Sequence, residues 1–539
     1  MADIEGNKSI ISHVEGQPLG HVTTEKREAV LIEMARGGTE IEHNLKVLEA
    51  VRIYRKGVMF AVLITLSIIM RMYDIGVINS FFALPAFQER YGTVVPGHGL
   101  QIPAPWQVAL GIAALVGQVI GAMLVTYPME WMGRKKTLAI CLLMTSCLTF
   151  MQFFAPSIQV LAASEYLSGV VWGSYQVLIP TYSSEVLPNV LRPYLAAWIA
   201  VNYDIGQLII AGITTAFDTW TSQWGYRIPF AIQWVWPCIV LPTLLFCPES
   251  PWWLLRHDRI EEAEKALKRL SSPDPKVDLD KTMAMMQKTI LFEAKIEEKT
   301  SVWDCFRGAS RYRTEIVIMV FFAQDFAQSP VSPTYFLEQL GLTTKQSFDM
   351  SIGMTSVALM CSLGTALVLR FFGRRTAFTT GIVLTCVFQN LVGFLDLAPN
   401  WPGDKNAFGW AQTAFLIAST AVYNATLGPM AYSILTEVPS IRLRSKTVGI
   451  AIAVDAVCGI VTGVALPYLI NPGEGNARGK TDFLFGGISL FTLAWCWFRL
   501  PETKHRTVEE LDYMFEERVP TRKFKSFVID PEILKYNLE

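Results

Sequence analysis

The sequence predicts an all-α membrane protein, with twelve transmembrane helices in two pseudo-symmetric six-helix bundles. Three observations predict it. Apolar runs recur along the 539 residues, 51% of which are hydrophobic; a membrane-crossing helix needs roughly 20 apolar residues, whereas soluble helices alternate polar and apolar faces. Short signatures occur twice, about 250 residues apart: Gly133-Arg134-Lys135 and Gly373-Arg374-Arg375, Glu185 with Arg192 and Glu437 with Arg444, Pro248-Glu249-Ser250 and Pro501-Glu502-Thr503. Basic residues cluster between alternate runs, the pattern that marks cytosolic loops.

Residues 1–57 form a charged cytosolic tail without the apolar core of a cleaved signal, and its Lys46, Arg52, Arg55 and Lys56 anchor the first span. The first bundle, 58–247, holds six runs. They are 58–84 with Arg71, Asp74 and Asn79; 106–126 with Gln107 and Gln118; 138–153 after the basic triplet; 160–180 with Glu165 and Gln176; 195–217 with Asn202, Asp204 and Gln207; and 228–246. Residues 248–313 form a polar middle loop in which Ile260 to Leu267 shows helical apolar spacing. The second bundle, 314–500, repeats the plan. Its runs are 316–336 with Gln324, Asp325 and Gln328, interrupted by Pro330 and Pro333; 351–371; 377–397 with Gln389 and Asn390; 410–435 with Asn424; 448–470 with Asp455; and 483–498. In the tail, 501–539, Val508, Leu511, Met514 and Phe515 share one stripe of a surface helix. The ends, to about 45 and beyond about 520, read as mobile tails.

Charged or amide side chains inside these runs face a cavity or a partner, because a charge in mid-bilayer costs at least about 2.5–3.5 kcal/mol. Asp204 and Gln207 share a helix face and fit one wall of a polar tunnel; interhelical bonding that only holds the bundle together is the plainer alternative. Arg71 and Asp74, three apart, suggest an internal ion pair, with proton carriage or snorkelling as the other readings. Tyr335 and Tyr432 are among the aromatics interleaved with these residues, and flat rings stack on the C–H faces of sugars.

Taken in order, Glu130 with Gly133-Arg134-Lys135, Glu185 with Leu191-Arg192, Pro248-Glu249-Ser250-Pro251-Trp252-Trp253-Leu254, Gly373-Arg374-Arg375 and Pro501-Glu502-Thr503-Lys504 resemble the sugar porter family of the major facilitator superfamily. The Trp252-Trp253 pair, Tyr73-Asp74 followed by Phe81-Phe82-Ala83-Leu84-Pro85-Ala86-Phe87-Gln88, and Val519-Pro520-Thr521-Arg522-Lys523-Phe524 resemble fungal disaccharide permeases, those for maltose and general α-glucosides first, lactose and cellobiose carriers next.

The resemblance implies a sugar held between the halves by amides of the fifth, seventh, tenth and eleventh spans. It puts Asn424, and Tyr432 of Gly428-Pro429-Met430-Ala431-Tyr432, at sugar-contacting positions, and Asp455 where the family usually has an amide. Asn202 stands near the fifth-span position filled here by Ala200. Gln118, Gln176, Gln207, Gln324, Gln328 and Tyr335 complete the expected substrate-binding set. Acids implied to carry the coupling proton are replaced by Arg71 and Gln118, and Arg370 replaces another expected acid; either Asp204 and Asp455 supply the titrating group, with the retained Asp74 a further candidate, or the protein no longer concentrates sugar. A cytosolic gate that locks the halves together is expected from Glu130, Arg134, Glu185, Arg192, Glu249, Arg374, Arg375, Glu437, Arg444 and Glu502; topology anchoring by positive charge alone is the other reading.

The expected function is transport of a disaccharide or short oligosaccharide by alternating access around one central site, driven by a proton gradient or by the sugar gradient alone. The expected place is the plasma membrane, multi-pass, with both termini cytosolic. The rival is a sugar sensor, a transporter-like receptor whose conformation reports sugar. An enzyme is not expected, because no acid pair lies on an evident extracellular domain. Nor is a cofactor or metal: the nine cysteines lack metal-ligand spacing. Partners reduce to the sugar, protons if coupled, and the lipid bilayer, with no nucleic acid.

Overall fold

The computed structural model describes residues 33–35, 37–38, 41, 45–95, 99–272, 278–297, 301–327, 333–339, 342–397, 405–440, 443–471, 474–504, 506, 508–524 and 527. The first bundle consists of spans Arg55–Phe81, Ala104–Leu124, Arg134–Phe153, Ile158–Val186 and Arg192–Ala216, with a sixth in two pieces, Trp224–Ile232 and Val235–Phe246. The second begins with Gly308–Ala327 and Pro333–Gln339, which together form the seventh span. Thr344–Phe371 and Arg374–Asp396 follow, then the three-part tenth span Lys405–Val422, Tyr423–Leu427 and Gly428–Glu437, and finally Arg444–Ile470 and Thr481–Arg499. Eight of these helices are long and apolar enough to cross a membrane by themselves. The fourth, seventh, eighth and tenth spans do not reach that mark among the described residues. A short hairpin, Thr93–Val95 with Gly99–Gln101, is the one addition to the all-helical expectation among the described residues.

Packing repeats between the halves. The first span lies on the fifth as the seventh lies on the eleventh, and the third lies on the fourth and sixth as the ninth lies on the tenth and twelfth. The halves meet where the second span contacts the eleventh and the fifth contacts the eighth.

The second and fourth spans approach most closely, through Gly117, Gly121, Gly169 and Gly173. A methyl group at any of these would collide with the opposing backbone, at Tyr166, Val170, Ala114 and Gln118 respectively. Two small-xxx-small patterns thus let backbones touch. Gly121→Ala and Gly173→Ala are each expected to destabilise the protein by the roughly 1–3 kcal/mol that overpacking costs. Gly111, on the same helix, has open space around it, so Gly111→Ala should stay within about 0.5 kcal/mol of the parent. Thermal melts in detergent would check the ranking.

The tenth span is continuous in the hydropathy pattern but contains a π-helical turn, Tyr423–Leu427, immediately before Gly428-Pro429. Pro429 has no N–H to donate, and the Gly428 N–H reaches back five residues to the Tyr423 carbonyl. Such bulges recur at functional sites. At the end of the Gly308–Ala327 helix, Gln389 Nε2 of the ninth span donates to the Phe326 and Ala327 carbonyls at 3.1 Å each.

At the basic ends, the middle loop forms Pro251–Arg256 and Ile260–Leu270; the latter buries Ala263, Ala266, Leu267 and Leu270. The tail helix Val508–Glu516 buries Leu511, Met514 and Phe515 in the second bundle. Mobility beyond about 520 does not begin where expected. Phe524 is fully buried in the same cluster, its ring 5.1 Å from that of Phe515.

Candidate functional site

Between the halves lies a cavity of about 510 Å³. The first bundle lines it with Arg71, Asn79, Gln176, Tyr203, Asp204 and Gln207, and the second faces these with Gln324, Ser362, Asn424, Tyr432 and Asp455. Of the expected substrate contacts, Gln176, Gln207, Gln324, Asn424, Tyr432 and Asp455 therefore converge on one hollow, and the proton candidate Asp204 joins them. Asp204 and Ser362 line the cavity from the fifth and eighth spans, which pack against each other. Phe321 packs edge-on against Tyr432, 5.6 Å between ring centroids, and so fixes that ring.

Other expected residues lie elsewhere. Gln118 stands behind the wall and accepts from Arg71 Nη2 at 2.8 Å. Asn202 is 0% exposed, with neither amide atom hydrogen-bonded, and is not part of the lining. Tyr335 is buried in an apolar cluster, and its neighbours Thr334 and Phe336 line the cavity instead. Gln328 lies outside the described residues, as does the side chain of Arg370.

The expected Arg71–Asp74 ion pair is not formed, because each finds partners on other helices. Arg71 donates to Gln118, to Tyr203 Oη at 3.1 Å and to Gln176 at 3.4 Å, and its guanidinium lies 5.5 Å from the Tyr203 ring centre. Asp74 turns away from the cavity. It accepts from Gln233 at 2.6 Å, Trp172 Nε1 at 2.7 Å and Gln152 at 3.1 Å, and Gln152 also donates to buried Glu165 at 2.8 Å.

Sequence reasoning missed two members of the site. Arg71 forms part of the wall, and the signal for it was a guanidinium inside an apolar run. Asp325, noted only as an intramembrane polar residue, lies close to the lining residue Asp455 across the seventh and eleventh spans.

The two ends of the cavity differ. At the end away from the basic loops, one apolar cluster joins both halves: Phe81, Phe82, Phe87 and Ile102 pack with Tyr335, Phe336, Phe348 and Ile470. Asn471 Nδ2 adds a hydrogen bond to the Ile102 carbonyl at 3.2 Å. At the basic end, among the described residues, the apolar clusters each stay within one half of the chain with its adjoining loop or tail. Apolar packing thus joins the halves at the far end and, among the described residues, not at the basic end.

The repeated signatures build two matching ionic clusters. Gly133 takes φ 94°, the left-handed region open to glycine, and the helix after it starts with its N–H groups on a carboxylate: Glu249 Oε1 accepts from Arg134 N at 3.0 Å and Lys135 N at 3.1 Å. An anion there complements the helix dipole, which explains why the third span begins four residues before its apolar run. Burial pushes the Glu249 carboxyl up from its ordinary pKa, while the backbone N–H groups of Ser250, Lys135 and Arg134 pull it back. The Arg134 guanidinium grips Glu185 at 3.0 and 3.1 Å and Glu130 at 3.0 Å. In the second half Arg374 holds Glu437 at 2.8 Å, and its N–H meets Glu502 at 2.7 Å. Gly373 has φ −74°; glycine is needed there not for a left-handed turn but because a Cβ would strike the Glu502 carboxylate.

Three gate expectations change. Each of these pairs joins helices of a single half, so they brace the bundles internally and do not bridge them. Arg375 Nη2 bonds the Trp497 carbonyl at 2.9 Å rather than an acid. Arg192 donates to the Ser184 carbonyl at 3.1 Å and faces the Trp252 ring, and Arg444 Nε is buried without a hydrogen bond.

Comparison with known proteins agrees with this architecture. Residues 59–515 match the family described as Sugar (and other) transporter. A general alpha-glucoside permease of Saccharomyces cerevisiae is 31% identical over 520 residues, covering 94% of this chain and 84% of the relative. A maltose permease of the same yeast is 30% identical over 544 residues, covering 98% and 88%. Among solved structures, the proton:xylose symporter XylE bound to 6-bromo-6-deoxy-D-glucose shares the fold at a TM-score of 0.65 and 20% identity, covering 86% of this chain and 99% of that one. An inward-open form of XylE from E. coli gives 0.64 at 18% identity, covering 85% and 99%. With a match that runs from the first span into the helix beyond the twelfth, and relatives aligned nearly end to end, the chain belongs to the sugar (and other) transporter family.

Proposed function

We propose that this multi-pass membrane protein carries a disaccharide or short oligosaccharide across the plasma membrane by alternating access, with both termini and the basic loops on the cytosolic side. The observation that carries this reading is the hollow between the halves. It is lined by amides, hydroxyls and rings from both repeats, falls within the roughly 300–1,000 Å³ of small-molecule sites, and, among the described residues, is closed by apolar packing between the halves at one end only. With the basic end in the cytosol, the conformation is inward-facing. The names of the yeast relatives make α-linked glucosides the first substrates to test. Gln176, Gln207, Gln324 and Asn424 would hydrogen-bond sugar hydroxyls and Tyr432 would stack on the ring. Coupling to protons is assigned to the Asp325–Asp455 pair, which faces Arg71 and Asp204 of the first bundle and Tyr423, Tyr432 and Cys458 of the second. The ionic clusters at the basic end keep each bundle rigid while the two rock.

The test is uptake of radiolabelled maltose, sucrose, cellobiose and lactose into cells lacking their own permeases. Saturable uptake of at least one is expected. Gln207→Ala and Asn424→Ala should each raise KM about tenfold, the upper end of one lost hydrogen bond. Uptake indifferent to both substitutions would overturn the central site.

A further inference from the structure

A second cavity, of about 330 Å³, lies at the basic end of the second bundle, between the start of the seventh span, the end of the twelfth and the segment after the tail helix. Three arginines line it, Arg499, Arg518 and Arg522, with one acid, Glu315. Glu315 is already engaged. It lies 3.5 Å from Arg499 Nε and accepts from Trp495 Nε1 at 3.2 Å. Among the described residues, the guanidiniums of Arg518 and Arg522 take part in no hydrogen bond or ion pair shown for this structure. Two of the three arginines are positioned by rings: Arg522 lies 5.0 Å from the Phe498 ring centre and 5.8 Å from that of Trp497, and Arg499 lies 5.2 Å from that of Tyr312. Stacking on rings leaves the in-plane N–H donors free to bind.

Arg518 adds a separate observation. It ends the tail helix with φ 51°, a left-handed conformation usually taken by glycine or asparagine. The fold accepts that strain at a position lining the cavity. The exposed rings of Trp497, 59%, and Phe498, 65%, mark the level of the membrane interface. Gathering three like charges in one partly enclosed pocket with a single occupied counter-charge is unfavourable unless an anion completes it.

We propose that this pocket binds a phosphate-bearing anionic headgroup, which ties the tail to the seventh and twelfth spans. Guanidinium forks match phosphate oxygens two at a time, and basic pockets beside membrane helices suit phospholipid headgroups. The apolar wall of Ile316, Phe498 and Val519 fits the glycerol end of such a lipid. The pocket lies apart from the central cavity and does not depend on which sugar is carried.

The test uses the full-length protein purified in detergent. Binding is measured with short-chain phosphatidylinositol bisphosphate, free inositol trisphosphate, inorganic phosphate and short-chain phosphatidylcholine. Saturable binding of the first, with phosphatidylcholine inert, is expected. Arg518→Gln with Arg522→Gln should weaken it about thirtyfold, from the usual contribution of each surface cation. Arg518→Gly should relieve the left-handed strain, and so raise the melting temperature of the free protein, while weakening the lipid; a merely structural arginine would not separate the two. Binding of inositol trisphosphate as tight as that of the lipid makes the source soluble and supports the phosphate site, and preference for the lipid makes it the leaflet. Absence of binding by either, or equal binding by parent and double variant, overturns the proposal.

Discussion

Arg134→Ala is expected to destabilise the protein by about 3–5 kcal/mol, the cost of breaking a buried ion pair from one side. Its repeat counterpart, Arg374→Ala, should cost only about 1 kcal/mol, toward the range of exposed pairs. The signatures match residue for residue, but their burial does not. The Arg134 side chain is 1% exposed and that of its partner Glu185 10%, whereas Arg374 and Glu437 are 22% and 28% exposed. Removing Arg134 leaves Glu185 only the longer contact to Arg256, at 3.7 Å, and leaves the Met129 carbonyl without the Nη1 donor at 3.1 Å. Water reaches Glu437 already, and Thr503 Oγ1 still donates to it at 2.5 Å. Melting of the purified variants checks the order; equal losses would mean that the two clusters carry equal weight.

Asp455→Asn and Asp325→Asn are each expected to abolish concentrative uptake while leaving sugar exchange intact. An amide keeps the size and hydrogen-bonding shape of the carboxyl but can neither take up nor release a proton. One proton moving through 100 mV provides about 2.3 kcal/mol, close to fiftyfold in accumulation, so the variants should fall from that level toward equilibration. Sugar-evoked alkalinisation of the medium should vanish with it. Full accumulation in both variants would show that coupling, if present, resides elsewhere, with Asp74 and Asp204 the remaining candidates.

The twelve spans, the residues of the basic-end clusters and the six residues lining the hollow among the ten expected to meet sugar were legible in the sequence, because each rests on local pattern: run length, repeated motif, or a polar side chain inside an apolar run. Side-chain pairing was not. Arg71 and Asp74 sit three apart, a spacing that brings side chains together on a helix. Their actual partners, Gln118 and Gln233, lie 47 and 159 positions away, and which of them a charge meets is decided by how helices rotate in the bundle. Asp325 and Asp455 escaped notice as a pair for the same reason. Gly133 and Gly373 looked alike, and only the backbone shows that one needs a left-handed turn and the other only needs room.

Among the described residues, the closed end of the hollow is fastened by Phe81, Phe87, Phe336 and Ile470 rather than by ion pairs. Parting it wets oily surface, a step with a positive heat-capacity change whose opposition fades on cooling. Cold would therefore tilt the resting population toward the opposite face, whereas added salt would barely move it. In an organism that meets changing temperatures, the thermometer would act on this carrier more directly than the ionic strength of its surroundings.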